Sequence, residues 1–167
     1  VAVAAAGIIV MRQRTQAAAE QLLADAMVVL EAQVIPNEPF DPKNPTPPAA
    51  AMAGSGTYTT EAEKLTAAVP KLRAAADAYP ETRAGLTARY HLAGTLSALG
   101  KHQEALQAYD EVIRRGGDEL YATMARLGKA GEQARAGQHD AAITAFKELA
   151  DRKDADLPTD AILMQLG

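Results

Sequence analysis

The sequence predicts an all-α protein, a solenoid of stacked helical hairpins, and three observations carry that expectation. A run of residues from Gly100 to Val112 (GKHQEALQAYDEV) returns from Gly137 to Leu149 (GQHDAAITAFKEL); 137−100, 142−105 and 146−109 all give 37. Recurrence at such a period marks stacked supersecondary units, whereas an ordinary helical bundle with two similar hairpins requires no fixed period. Alanine dominates the composition, aromatics make up 4% and tryptophan is absent, which favours helix throughout. Gly100 and Gly137 each close a helical pattern, ending in Leu99 and Ala136, where a left-handed residue costs least as glycine.

Composition also sets limits. A net charge of −4 gives no basic footprint for nucleic acid. The chain has no cysteine, which removes disulfides, thiolate catalysis and cysteine-based zinc sites, and suits either side of a bacterial inner membrane. With 167 residues there is enough chain for one domain with a core and an appendage.

Residues 1–14 open on an apolar run, Val1 to Met11. Eleven residues fall short of the ~20 that span a bilayer, and the chain does not start with methionine. The run is therefore expected to be the distal part of a transmembrane anchor, with Arg12 and Arg14 at the lipid boundary. A signal-peptide core and a buried soluble helix are the alternatives; the first lacks its cleavage site of small residues before Arg12. Two arginines after a span favour a cytoplasmic domain by themselves, so they do not fix orientation.

Residues 15–35 continue the helix and become amphipathic, with Ala18, Leu22, Ala26, Val29 and Leu30 on one stripe. Pro36 is expected to end it. Residues 36–57 form a proline-rich insertion. Proline recurs at 36, 39, 42, 45 and 48, the period of a polyproline II turn. It reads as a stiff spacer, or as a docking strip for an aromatic groove.

Residues 58–167 hold the repeats, at about 58–80, 81–117 and 118–154, with the start of another at 157–167. The helix of the first is capped by Thr59 or Thr60, with Glu63 completing a capping box, and Pro70 should kink it. Stepping back 37 from Ala105 and Tyr109 reaches Ala68 and Leu72, so this is the second helix of a degenerate first unit. Its first helix is then 15–35, with the proline-rich segment inserted at the hairpin turn. Residues 81–99 and 118–136 are the first helices of the two clear units. Residues 103–115 and 139–152 are their second helices. In these, small Ala105 and Ala142 allow close helix approach, and Tyr109 and Phe146 fill the space one turn on.

The layout from Gly100 through Ala105 and Tyr109, repeated from Gly137 through Ala142 and Phe146, resembles the tetratricopeptide repeat (TPR). The family's usual period is about 34. The expected fold is thus a TPR-like solenoid preceded by a truncated membrane helix. The resemblance implies a concave groove lined by first helices, at Thr87, Tyr90, Gly94, Ser97 and Ala98 in one unit. In the next it implies Met124, Leu127, Gly131, Ala134 and Arg135. Gly94 and Gly131 should leave the groove floor open. Only Arg135 matches the cationic set that grips C-terminal carboxylates in the chaperone-binding subclass, so an adaptable apolar groove is expected instead. The order of anchor, amphipathic helix, insertion and degenerate repeats is similar to the bacterial inner-membrane-anchored proteins of the YfgM family. That resemblance implies a single-pass protein of the inner membrane with periplasmic repeats. Its partners would be chaperones, secretion machinery or subunits of a membrane complex.

Chemistry-bearing patterns are sparse. His102 and His139 recur at equivalent positions and read as packing residues. No helix carries the paired histidines of a metalloprotease and no phosphate loop is present. The carboxylates read as solvated helix faces. No catalytic, metal or cofactor site is expected, and the chain reads as a non-enzymatic interaction scaffold. It is either a transient adaptor or a permanent accessory subunit bracing a large membrane complex.

Overall fold

The computed structural model describes residues 2–36, 56–116 and 120–151. Among the described residues the architecture is all-helical, in six helices. They are α1 (Ala2–Leu30), α2 (Glu61–Ala78), α3 (Arg83–Ala98), α4 (His102–Gly116), α5 (Leu120–Arg135) and α6 (His139–Asp151).

The α1 helix is unbroken across the boundary between its apolar start and its amphipathic remainder. Its second half buries Ala19, Ala26 and Val29. Ala26 and Val29 join Ala68 and Leu72 of α2 in one cluster, while Leu22 and Leu23 meet Ala75 and Ala76. The pairing runs in opposite directions along the two helices, so they are antiparallel. Among the described residues, no helix is long and apolar enough to cross a membrane.

Helix α1 ends at Leu30, short of the expected Ile35. The residue before a proline is biased toward extended backbone, and Val34 and Ile35 are β-branched. The chain from Gln33 to Ile35 instead forms a parallel bridge with Tyr58: Ile35 N–H donates to the Tyr58 carbonyl (2.8 Å) and Tyr58 N–H to that of Gln33 (3.0 Å). This bridge pins together the two ends of the insertion. Most of the proline-rich segment lies outside the described residues, as do Gly117, Asp118, Arg152 and the expected fourth-unit helix at 157–167.

Local chemistry starts α2 and α3. Thr60 Oγ1 accepts from Glu63 N–H at 3.1 Å. The Glu63 carboxylate returns to Thr59, accepting from its N–H at 3.1 Å and its hydroxyl at 2.5 Å. The expected box is thus spread over both threonines. Helix α2 runs through Pro70 and stops just before Pro80. Thr82 caps α3 by accepting from Gly85 N–H at 3.0 Å.

The turns into α4 and α6 are built alike. Gly100 and Gly137 have φ of +72° and +76°, a region that penalises any Cβ. Gly100 N–H reaches the Ser97 carbonyl and Lys101 N–H that of Leu96; Gly137 and Gln138 do the same to Ala134 and Gln133. These paired bonds satisfy the carbonyls a helix end leaves open.

Each helix packs on its successor, and α1 also touches α3, and α3 touches α5. One core cluster runs through α1 to α5, from Ala26 to Ala125. A smaller one joins α5 and α6 through Ala130, Ala142, Phe146 and Leu149. Half of these residues are alanines, which lets helix axes come close. Leu72 and Leu96, at 0% and 1% exposure, supply the bulk, each worth about 2 kcal/mol of apolar burial. Ala105, Tyr109, Ala142 and Phe146 are all buried.

Candidate functional site

Thr87, Tyr90, Gly94 and Ser97 follow helical spacing along α3, and Met124, Leu127, Gly131 and Arg135 do so along α5. The structure sorts them into four kinds. Thr87 is buried and its hydroxyl is spent on the Arg83 carbonyl at 2.8 Å. Leu127 and Ala134 pack against the α5–α6 cluster. Tyr90, Gly94, Met124 and Gly131 stay partly accessible, and Ala98 is exposed. Ser97 and Arg135 come together at a polar end.

Tyr90 is the centre of an aromatic shelf. Its ring lies 6.0 Å from Tyr109 of α4 and 6.0 Å from Tyr121 of α5, edge-on to the first and tilted to the second. Such arrangements suit the ring quadrupoles. Tyr109 can reach this row because α5 carries no side chain at Gly128. A Cβ there would fall 2.7 Å from Tyr109 Cζ, inside any real contact distance. A Cβ at Gly94 would lie 3.8 Å from the Tyr109 hydroxyl, so the repeat's own aromatic underlies that glycine. Burial, helped by Tyr90 and Glu132 and opposed by Arg135, pushes the Tyr109 phenol up to about 12. Burial also raises Tyr90, with Tyr121 adding to it, and lowers His91. At neutral pH the shelf therefore presents phenolic O–H groups and a neutral imidazole.

The polar end is organised by Glu132, whose side chain is fully buried. One carboxylate oxygen accepts a close bond from the Ser97 hydroxyl and a longer one from the Arg135 guanidinium at 3.3 Å. The other takes His102 Nδ1 at 2.5 Å. Arg135 also donates to Ser97 Oγ at 3.4 Å. Burial raises this carboxyl, but the Ser97, His102 and Arg135 donors outweigh it and hold it below the ordinary carboxylate range. The group ties three helices: Ser97 near the end of α3, His102 at the start of α4, and Glu132 and Arg135 on α5.

Three expectations change here. His102 is a charge-assisted partner of a buried carboxylate rather than a packing residue, while its repeat equivalent His139 is exposed. Glu132 is the exception among carboxylates read as solvated. Its signal lay in the repeat itself, since 37 positions back is Thr95, also buried. The floor at Gly131 is likewise not open, because Arg135 folds back to within 3.8 Å of where a Cβ would stand.

In this cluster the carboxylate sits between serine and imidazole. A nucleophilic relay places the imidazole between serine and acid, to take the hydroxyl proton. The order here suits bracing of three helices and presentation of a hydroxyl and a guanidinium at the surface. Among the described residues no group of three or more histidines or carboxylates is placed to hold a metal ion.

Comparison with known proteins finds no matching family model, curated protein or solved structure.

Proposed function

We propose that the chain is a TPR-like interaction scaffold, which binds a segment of a partner protein along the row formed by α1, α3 and α5. The observation that carries this is the tyrosine shelf across α3 and α5, ending in Ser97 and Arg135. Tyrosine and arginine combine large contact area with polar reach, and such residues anchor protein interfaces. The contact of α1 with α3, and of α3 with α5, supports the solenoid. Among the described residues, each first helix of the expected repeats then adjoins the next, as stacked hairpins require.

The same reading makes α1 a membrane tether. Its start is apolar in sequence, and Val10 and Met11 are 47% and 73% exposed, available to lipid or to other membrane helices. With the resemblance described above, this gives an adaptor of the bacterial inner membrane, its repeats in the periplasm beside chaperones or secretion machinery. A permanent accessory subunit of a membrane complex is the second reading. It is favoured by exposed apolar residues away from the shelf, such as Val28 on α1 at 71%.

A photo-crosslinking residue at Tyr90 or Tyr121, compared with one at Val28, tests these readings in solubilised membranes. Crosslinks from the tyrosine positions that dilution abolishes support the adaptor. Crosslinks from Val28 at fixed stoichiometry support the subunit. No protein crosslink from any of the three positions would sink both.

A further inference from the structure

The opposite side of the molecule carries two clefts that are repeats of one another. The first lies over α3, between α2 and α4, and the second, of about 640 Å³, lies over α5, between α4 and α6. Shifting by 37 carries Arg89, Ala108 and Glu111 of the first onto Arg126, Ala145 and Glu148 of the second. The two differ in how they are closed. In the first, Arg73 of α2 bonds to Glu104 of α4 at 3.1 Å, a clasp from wall to wall. In the second, the equivalents of Arg73 and Glu104 are Asp110 and Ala141, so the cation has become an acid and its partner a methyl group.

What the second cleft offers follows from that change. Its apolar part is Ile113, Ala145 and the buried Leu149. Lys129 on the α5 side pairs with Asp110 at 2.5 Å, and Arg126 already has a partner. The α6 wall keeps Asp140 and Glu148, both exposed, and no described cation pairs with either. The volume lies in the range of ligand-binding clefts, with an acidic margin on one wall.

We propose that this cleft is a second docking site, independent of the tyrosine shelf, for a basic amphipathic helix of a partner protein. An aliphatic side chain of that helix enters over Ala145 between Ile113 and Leu149. Lysine or arginine one turn away meets Asp140 and Glu148, with which no described cation pairs. Helix-in-groove docking of this type is read from aliphatic anchors and flanking charge.

The test uses the full chain and a fluorescent helical peptide of leucine, lysine and alanine, with a counterpart carrying glutamate for lysine. Anisotropy should show binding of the lysine peptide alone, weakening as salt rises from about 50 to 300 mM. Asp140→Lys and Glu148→Lys should each weaken it about tenfold. Ala141→Leu, at an exposed position, should block the cleft with helical content unchanged, and Tyr90→Ala should leave binding intact. Absence of binding, equal binding of the glutamate peptide, or loss with Tyr90→Ala but not Glu148→Lys would overturn the proposal. Two other occupants would overturn it as well. A spin label at Ala145→Cys that broadens residues 157–166 without peptide assigns the cleft to the chain's own C-terminal segment. Self-association abolished by Ala141→Leu assigns it to a second copy.

Discussion

Glu132 shows what one residue contributes here and why it was hard to read. Its neighbours Gly131 and Gln133 are unremarkable in sequence, and its charge suggests a solvated position. Only the 37-residue register, which aligns it with the buried Thr95, places it inside. Because its folded pKa lies below the ordinary carboxylate value, its stabilisation is full above the unfolded pKa of ~4.3 and is lost as pH falls through the folded value. Glu132→Gln would turn an amide N–H₂ toward donors on Ser97, His102 and Arg135. We expect a loss of about 1–3 kcal/mol at pH 7, shrinking as pH falls through the folded value, where the native carboxyl also protonates. Urea midpoints at pH 7 and along an acid series check this, and a gap that stays constant throughout would show that charge is not the cause. The aromatic shelf has a simpler dependence. Gly128→Val would place carbon against the Tyr109 ring and should cost about 1–3 kcal/mol as an overpacked contact. The same change at Gly131, where the nearest atom is the end of a flexible arginine side chain at 3.8 Å, should cost less. Equal melting shifts for the two would remove the special role given to Gly128.

At the scale of elements, turn and cap chemistry was legible and tertiary competition was not. The glycine turns before α4 and α6, the threonine cap of α2 and the stop before Pro80 all follow from short-range rules, and the structure has them. The end of α1 follows from such rules only in part. Val34 and Ile35, before Pro36, lean toward extended backbone, and the return of Tyr58 from the far side of the insertion offers Gln33 and Ile35 backbone partners. The small residues at helix crossings were also legible, and they carry a prediction. Ala105 and Ala142 are 0% and 2% exposed, so leucine at either must displace a neighbouring helix. Each change should lower stability by about 1–3 kcal/mol. The structure adds a distinction between them. Ala105 belongs to the core running through α1 to α5, whereas Ala142 belongs to the separate α5–α6 cluster. Hydrogen exchange should therefore show Ala142→Leu loosening α6 with α2 and α3 still protected, and Ala105→Leu loosening all of them. Uniform loosening by both would mean that the two clusters unfold as one.

The whole molecule raises the question of what the first half of α1 is for. A helix of 29 residues is about 44 Å long at 1.5 Å per residue. Among its residues of described exposure, burial begins at Ala18 and Ala19. Before them, Met11, Arg12, Thr15 and Gln16 border a shallow pocket with Glu81–Arg83. Val10 and Met11 are exposed, and apolar side chains left in water have no stabilising partner there. A lipid boundary would provide one, with Arg12 and Arg14 extending long stems toward head groups. Expressing the chain from Arg14 onward should then give a folded, soluble monomer with the melting midpoint of the full chain to within a few degrees. The full chain, by contrast, should sediment with membranes. If the shortened chain unfolds, residues 1–13 stabilise the fold through packing. If it folds but the full chain stays out of membranes, the tether fails. The inner-membrane placement proposed for this scaffold fails with it, while the tyrosine shelf and the acidic cleft, built entirely from α3 to α6, remain to be tested on their own.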